Sequence, residues 1–205
     1  TATVNTLEDG TLNPMPGFLF SASKELDIQK DDTLKVVVPM MQRIRTLALT
    51  LKLNPGDERR IASTASTLTG IAPSMDLATG SVTATEGKSV APVFTMGSDG
   101  GETRMVTPSV ETRATGNPAL ATSLRLLGVM PGEKQELTLV VTLTNGTVQT
   151  IVTDLTESLK NFGGKMEPLA LDATLTLPDE EETSAEVSAN ISDWKIVDNG
   201  DIDVN

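Results

Sequence analysis

Histidine, cysteine and tyrosine are absent from this 205-residue chain, and aromatic residues make up 2% of it, one Trp and four Phe. Each absence removes a class of chemistry. Without His or Cys there is no imidazole base, no thiol nucleophile, no disulfide and no His/Cys metal site. With so few rings, there is almost nothing on which bases or sugars could stack. Positive charge is scarce as well: 16 basic against 28 acidic residues leave a formal charge of −12 and a pI near 4.4. That balance repels phosphate backbones and anionic lipid surfaces, so nucleic acid is not an expected partner. No apolar run reaches the length of a membrane span, and no basic, apolar signal peptide opens the chain. An export signal is therefore expected upstream, or already removed.

What the chain has in quantity is alternation. Residues 136–155, ELTLVVTLTNGTVQTIVTDL, hold two β-type runs joined by Asn145-Gly146, a strong signal for a two-residue type I′ hairpin. That loop places Leu143 opposite Val148, Val141 opposite Thr150 and Leu139 opposite Val152, making one face almost wholly apolar. Val140 and Ile151 then fall on the Thr-rich second face. Residues 44–53, IRTLALTLKL, put Leu47, Leu49, Leu51 and Leu53 on one side, and 169–177, LALDATLTL, do the same with Leu169, Leu171, Ala173, Leu175 and Leu177.

Further strands are expected at 34–38 (LKVVV, stopped by Pro39), at 61–68, which is Ser/Thr-rich, at 82–85, at 90–96 and at 185–194. A shorter element is expected at 75–77. Residues 120–129 carry both helical and strand spacing; their place between strands and before Pro131-Gly132 favours strand. One helix is expected over 155–162, capped by Thr156, planted by Leu159 and Phe162, and ended by Gly163-Gly164. Residues 1–33 read as an extended leading segment whose patch Gly17-Phe18-Leu19-Phe20 is suited to docking on a sheet or a neighbouring domain. The fold class is all-β: an antiparallel two-sheet sandwich with one short helix, occupying residues 34–205.

Carboxylates are the remaining source of chemistry. Asp154 and Asp172 have no partner visible in the sequence, and neither a nucleophile elbow, nor a P-loop, nor a zincin motif occurs. The acidic run 179–182 reads as a solvated turn, and the tail 198–203 lacks the calcium-loop spacing. Trp194 reads as a seal on the sandwich's end, with a ligand anchor as the alternative. No catalytic, metal or cofactor-binding residue is assigned.

Several phrases together resemble a known group. Pro16-Gly17-Phe18-Leu19-Phe20, the run into Val38-Pro39-Met40, IRTLALTLKL, Leu124–Val129, the hairpin block and Ile191-Ser192-Asp193-Trp194-Lys195 are similar to minor, anchor or accessory, fimbrillin-type subunits of Bacteroidales. The resemblance implies a transthyretin-like sandwich and a noncatalytic cell-adhesion role in a fimbrium at the outer membrane. It also implies an upstream N-terminal sandwich with a lipid-bearing Cys as the sole membrane link, and other fimbrial subunits as partners beside a host or bacterial surface ligand. Subunits of this kind are expected to join by strand exchange. On this sequence the candidate donor strand is 185–194, with Val187, Ala189 and Ile191 on one face and Trp194 at its end. Two other readings are a carbohydrate-binding accessory domain of a glycan-uptake system and a carboxylate-based glycosidase.

Overall fold

A computed structural model describes residues 1–26, 35–98, 116–163, 166–178 and 188–197. In chain order its strands are β1 (Ala2–Thr3), β2 (Phe20–Ser21), β3 (Met41–Gln42), β4 (Arg45–Lys52), β5 (Ile61–Ile71), β6 (Ser74–Met75), β7 (Lys88–Val90), β8 (Thr95–Ser98), β9 (Pro118–Leu126), β10 (Glu136–Leu143), β11 (Val148–Asp154), β12 (Leu169–Thr176) and β13 (Asn190–Val197). A 3-10 turn at Asp57–Arg59 and one α-helical turn, α1 (Thr156–Leu159), complete the set.

Two sheets make the sandwich. One runs β11-β10-β5-β7, the other β13-β12-β4-β9-β8, and the short pairs β1-β6 and β2-β3 flank them. Alternation explains the core. Leu47, Leu49 and Leu51 of β4 and Leu171 and Leu175 of β12 are fully buried, and Leu137, Leu139 and Val141 of β10 face them, equally buried. Each such side chain contributes about 1.5–3 kcal/mol through removal of its surface from water. The outward residues between them, Ala48, Thr50, Thr138, Val140, Asp172 and Thr174, are half-buried. The sheets are antiparallel throughout except where β12 lies parallel to β4, so β4 sits between one parallel and one antiparallel neighbour.

The leading segment belongs to this core. Val4 and Leu12 are buried in it, and Val4 N–H donates to Pro73 O at 2.9 Å. At the opposite corner Arg60 bonds Asp57 at 2.7 Å and also donates to Pro178 O, while its own carbonyl accepts from Thr144 N–H at 2.8 Å. That one residue ties the two sheets together.

The central hairpin forms, but with a different loop. Thr142 pairs with Val148 and Leu139 with Ile151, one residue out of the expected register. Gly146 N–H donates to Leu143 O at 2.9 Å and Leu143 N–H to Thr147 O at 2.8 Å. The loop therefore has three residues, and among them only Gly146 takes positive φ (86°), while Asn145 does not. This is a type I turn closed by a Gly bulge instead of the type I′ turn. A one-residue slip exchanges the faces of β11. Ile151 goes inward and is buried, whereas Val148 and Val152 are 57% and 59% exposed.

Other expectations need correction. Residues 35–38 of the LKVVV run form no strand, and Val37 is 86% exposed; Leu34 lies outside the described residues. The expected strand at 82–85 is a single bridge between Val82 and Met75. The expected strand at 90–96 is divided between β7 and β8, with Pro92 in the break. The helix is one turn, not two, and Thr156 does not cap it: Asp154 Oδ1 accepts from Thr156 N–H at 2.8 Å, and the Thr156 hydroxyl instead accepts from Gln135 N–H. Leu159 and Phe162 do plant it on the core.

Candidate interaction edges

Among the described residues no acidic cluster is placed to hold a metal ion, and the surfaces with chemistry to offer are the sheet edges, where backbone N–H and C=O groups are open to another strand. Four strands occupy such positions: β7 and β11 in one sheet, β8 and β13 in the other. β7 has three residues, and Leu12 N–H donates to Ser89 O at 2.8 Å, covering part of its outer side. β8, Thr-Met-Gly-Ser, pairs with β9 and has no charge, proline or bulge.

Of the residues expected of a donor strand, β13 holds Ile191 and Trp194, and Ala189 directly precedes it. Val187 lies outside the described residues. Ala189 is buried, and its N–H donates to the side-chain oxygen of Gln149 at 3.2 Å. Ile191 sits opposite Leu175 and, like Trp194, packs half-buried against the core. Simple alternation would point residue 193, not 194, inward. A bulge reverses this: Asp172 pairs with Lys195 but Thr174 with Ser192, so Asp193 and Trp194 together oppose Ala173. Asp193 takes φ of 61°, a left-handed conformation that Asp tolerates better than most residues. The indole N–H of Trp194 then donates to Thr153 Oγ1 at 2.9 Å on β11. The indole N–H of the residue on which a glycan-binding reading would rest is thus bonded within the protein.

Edges β11 and β13 meet through side chains alone. Gln149, Ile151 and Thr153 share the inner face of β11, and two of them bond β13. No ladder joins the strands. β13 is mostly exposed, and even Ile196, opposite the buried Leu171, is 62% exposed.

The two carboxylates singled out in the sequence each engage a different partner. Asp172 pairs with Lys52 at 3.0 Å. Asp154 holds the start of α1, and the hydrogen bonds from the Thr156 side chain and backbone lower its pKa. Burial lowers the pKa of Arg45, partly countered by Glu167, whose backbone carbonyl accepts from Arg45 Nε at 2.8 Å. Among the described residues no group of three or more acidic side chains is placed to grip a metal ion. The acidic run and the tail lie outside the described residues.

The leading segment adds a further surface. Leu19 packs on the core, while Phe18 and Phe20 are 50% and 44% exposed; in the β2–β3 ribbon Phe20 lies opposite Gln42 and Ser21 opposite Met41, which is exposed as well. The guanidinium of Arg125 lies 4.2 Å from the Phe18 ring centre and fixes it. Next to Phe18 a cleft of about 380 Å³ opens between the leading segment and Ile44 and Leu127.

Comparison with known proteins adds the following. No curated protein matches the chain. Among solved structures, a candidate adhesin from Bacteroides ovatus is 15% identical, TM-score 0.46, over 80% of this chain and 56% of its own. A second Bacteroides ovatus candidate adhesin is 10% identical, TM-score 0.47, over 92% and 61%. A candidate cell-adhesion protein of Bacteroides fragilis is 14% identical, TM-score 0.41, over 98% and 63%. The chain thus spans a little over half to just under two thirds of the length of each. The family described as Fimbrillin-A associated anchor proteins Mfa1 and Mfa2 matches residues 1–200. Because that match takes in nearly every residue, leading segment and β13 included, the chain belongs to this family of fimbrial anchor proteins.

Proposed function

We propose that this chain is a noncatalytic fimbrial subunit, exposed at the cell surface, that joins other fimbrial subunits by β-strand addition. The observation that carries the reading is the family match over residues 1–200. Strand addition is favoured by the chemistry of the surface. The working groups of an edge are backbone donors and acceptors, which give affinity, while alternate side chains falling into pockets give register. The strand committed to this role is the last, with Val187, Ala189, Ile191 and Trp194 as its register residues. Ala189, Ile191 and Trp194 already fill such positions within the chain, so the same face suits the equivalent groove of a neighbour.

The test is incorporation. A chain lacking residues 185–205 is expressed in place of the full one in cells that assemble the fimbria, and fimbriae are scored for the subunit. It is expected to be missing from them. A synthetic peptide of residues 185–205 is expected to raise the thermal midpoint of the truncated protein, which separates loss of the strand from general misfolding. Normal incorporation of the truncated chain removes strand donation from the proposal.

A further inference from the structure

Arg43 follows β3 and is 9% exposed. Its Nε donates to Ser21 Oγ at 2.7 Å and its Nη2 to Leu77 O at 3.3 Å, both neutral acceptors. Among the described residues no carboxylate lies within ion-pair distance of it, and Nη1 has no protein acceptor. The other buried arginine is treated differently: Arg45 lies 5.5 Å from the centre of the Phe162 ring and feels the charge of Glu167. Among the described residues no buried side-chain nitrogen lacks a partner, so the unbonded edge of this guanidinium is one that water reaches, and an anion that reaches it would meet a full charge otherwise shared between two neutral acceptors. The guanidinium therefore holds unspent capacity for an anion.

The space beside it is suited to one. Arg43 lines a cleft of about 210 Å³ whose other walls include Met75, Val82, Leu127 and Phe162, all apolar, and Gly80. Gly80 closes the turn begun by Asp76 with φ of +75°, and a Cβ there would come within 2.2 Å of Nη1. A side chain at position 80 would displace the guanidinium from the cleft. One planar, permanently charged donor set among side chains that are otherwise apolar suits a group with a carboxylate at one end and hydrocarbon at the other. Phosphate and sulfate would leave the apolar side chains unused.

We propose that this cleft binds a short aliphatic carboxylate through Arg43. The carboxylate is either a free acid or an acidic group presented by another copy of the chain, which carries 28 Asp and Glu. This site is independent of the sheet edges and of strand addition.

The probe is butyrate, with butyramide as its neutral isostere, titrated into the full chain by calorimetry. Butyrate is expected to bind about tenfold or more tightly than butyramide. A crystal soaked in butyrate is expected to show the carboxylate on Arg43. Arg43→Gln is expected to abolish the preference for the acid over the amide; the comparison of two ligands on the unaltered protein stands even if that variant folds poorly. Sedimentation separates the sources: self-association reversed by butyrate identifies the acid as another copy's, and a monomer throughout identifies it as free. Equal binding of acid and amide, an empty cleft in the soaked crystal, or an undiminished preference in a folded Arg43→Gln protein overturns the proposal.

Discussion

Small polar residues set the loops of this protein, and their contribution depends on charge. Asp76 is the clearest case. Its Oδ1 accepts from the N–H groups of Ala78 and Thr79, both at 2.8 Å, and from the Thr79 hydroxyl at 3.2 Å. The backbone bonds are the main cause of its lowered pKa, since they favour the charged form. A carboxyl whose folded pKa is depressed stabilises the fold at neutral pH, and that stabilisation disappears as pH falls through the depressed value. Asp76→Asn keeps an acceptor and the shape but loses the charge. At pH 7 the wild type is expected to melt higher than Asp76→Asn, and the gap is expected to close in acid, below the ordinary carboxylate range. Thermal midpoints measured from pH 7 downward decide it; a gap that does not change with pH assigns the difference to geometry alone. The same arrangement recurs at Asp9, whose pKa is lowered by the hydroxyl and N–H of Thr11.

At the scale of elements, the hairpin separates what the sequence could reveal from what it could not. Leu47, Leu49 and Leu51, and likewise Leu171, Ala173 and Leu175, declare their inner faces because period-two alternation is a local property. Asn145-Gly146 announces a turn, yet the dipeptide accommodates both a two-residue loop and a three-residue loop with a Gly bulge. The choice here accompanies a distant contact, Thr144 N–H to Arg60 O, and a ladder shift between Thr142 and Leu143 against β5. Neither was written in residues 136–155. The LKVVV run fails for a related reason: β-branched residues favour strand only where a partner strand and a covered face exist, and residues 35–38 have neither. The observed register carries a direct expectation. Ile151→Ala is expected to cost about 2–5 kcal/mol, because Ile151 is buried opposite Leu139. Val152→Ala is expected to stay within about 1 kcal/mol, as for an exposed position. Urea unfolding midpoints of the two variants test this; the reverse order would support the two-residue loop.

For the molecule as a whole, the question is which part opens most readily, since a strand that joins other subunits must first leave its place. The candidate strand was legible in the sequence by Ala189 and Ile191, which keep step, but not by Trp194, whose inward turn depends on the left-handed Asp193 and a bulge that simple alternation cannot foresee. That bulge interrupts the β12–β13 ladder, whereas β12 continues without a break against β4 from Leu169 to Thr174. β13 has a strand on one side only, and toward β11 it is held by the Trp194–Thr153 and Ala189–Gln149 bonds in place of a ladder. Apart from Ala189, just before it, its inward side chains are half-buried at best, while β4 and β12 each carry fully buried leucines. Few buried contacts and an interrupted ladder define a segment of low local stability. Native-state hydrogen exchange is therefore expected to show β13 opening at a lower free energy than β4, β10 and β12, as a unit and with the rest of the sandwich intact. Removing the indole bond with Trp194→Phe is expected to lower that opening energy by about 1 kcal/mol while leaving β4 and β10 protected. Exchange of β13 amides only through global unfolding, at the same free energy as β4, would mean that this strand is locked into its own sheet and that subunit joining must use another edge, such as β8, which is uncharged and without a bulge.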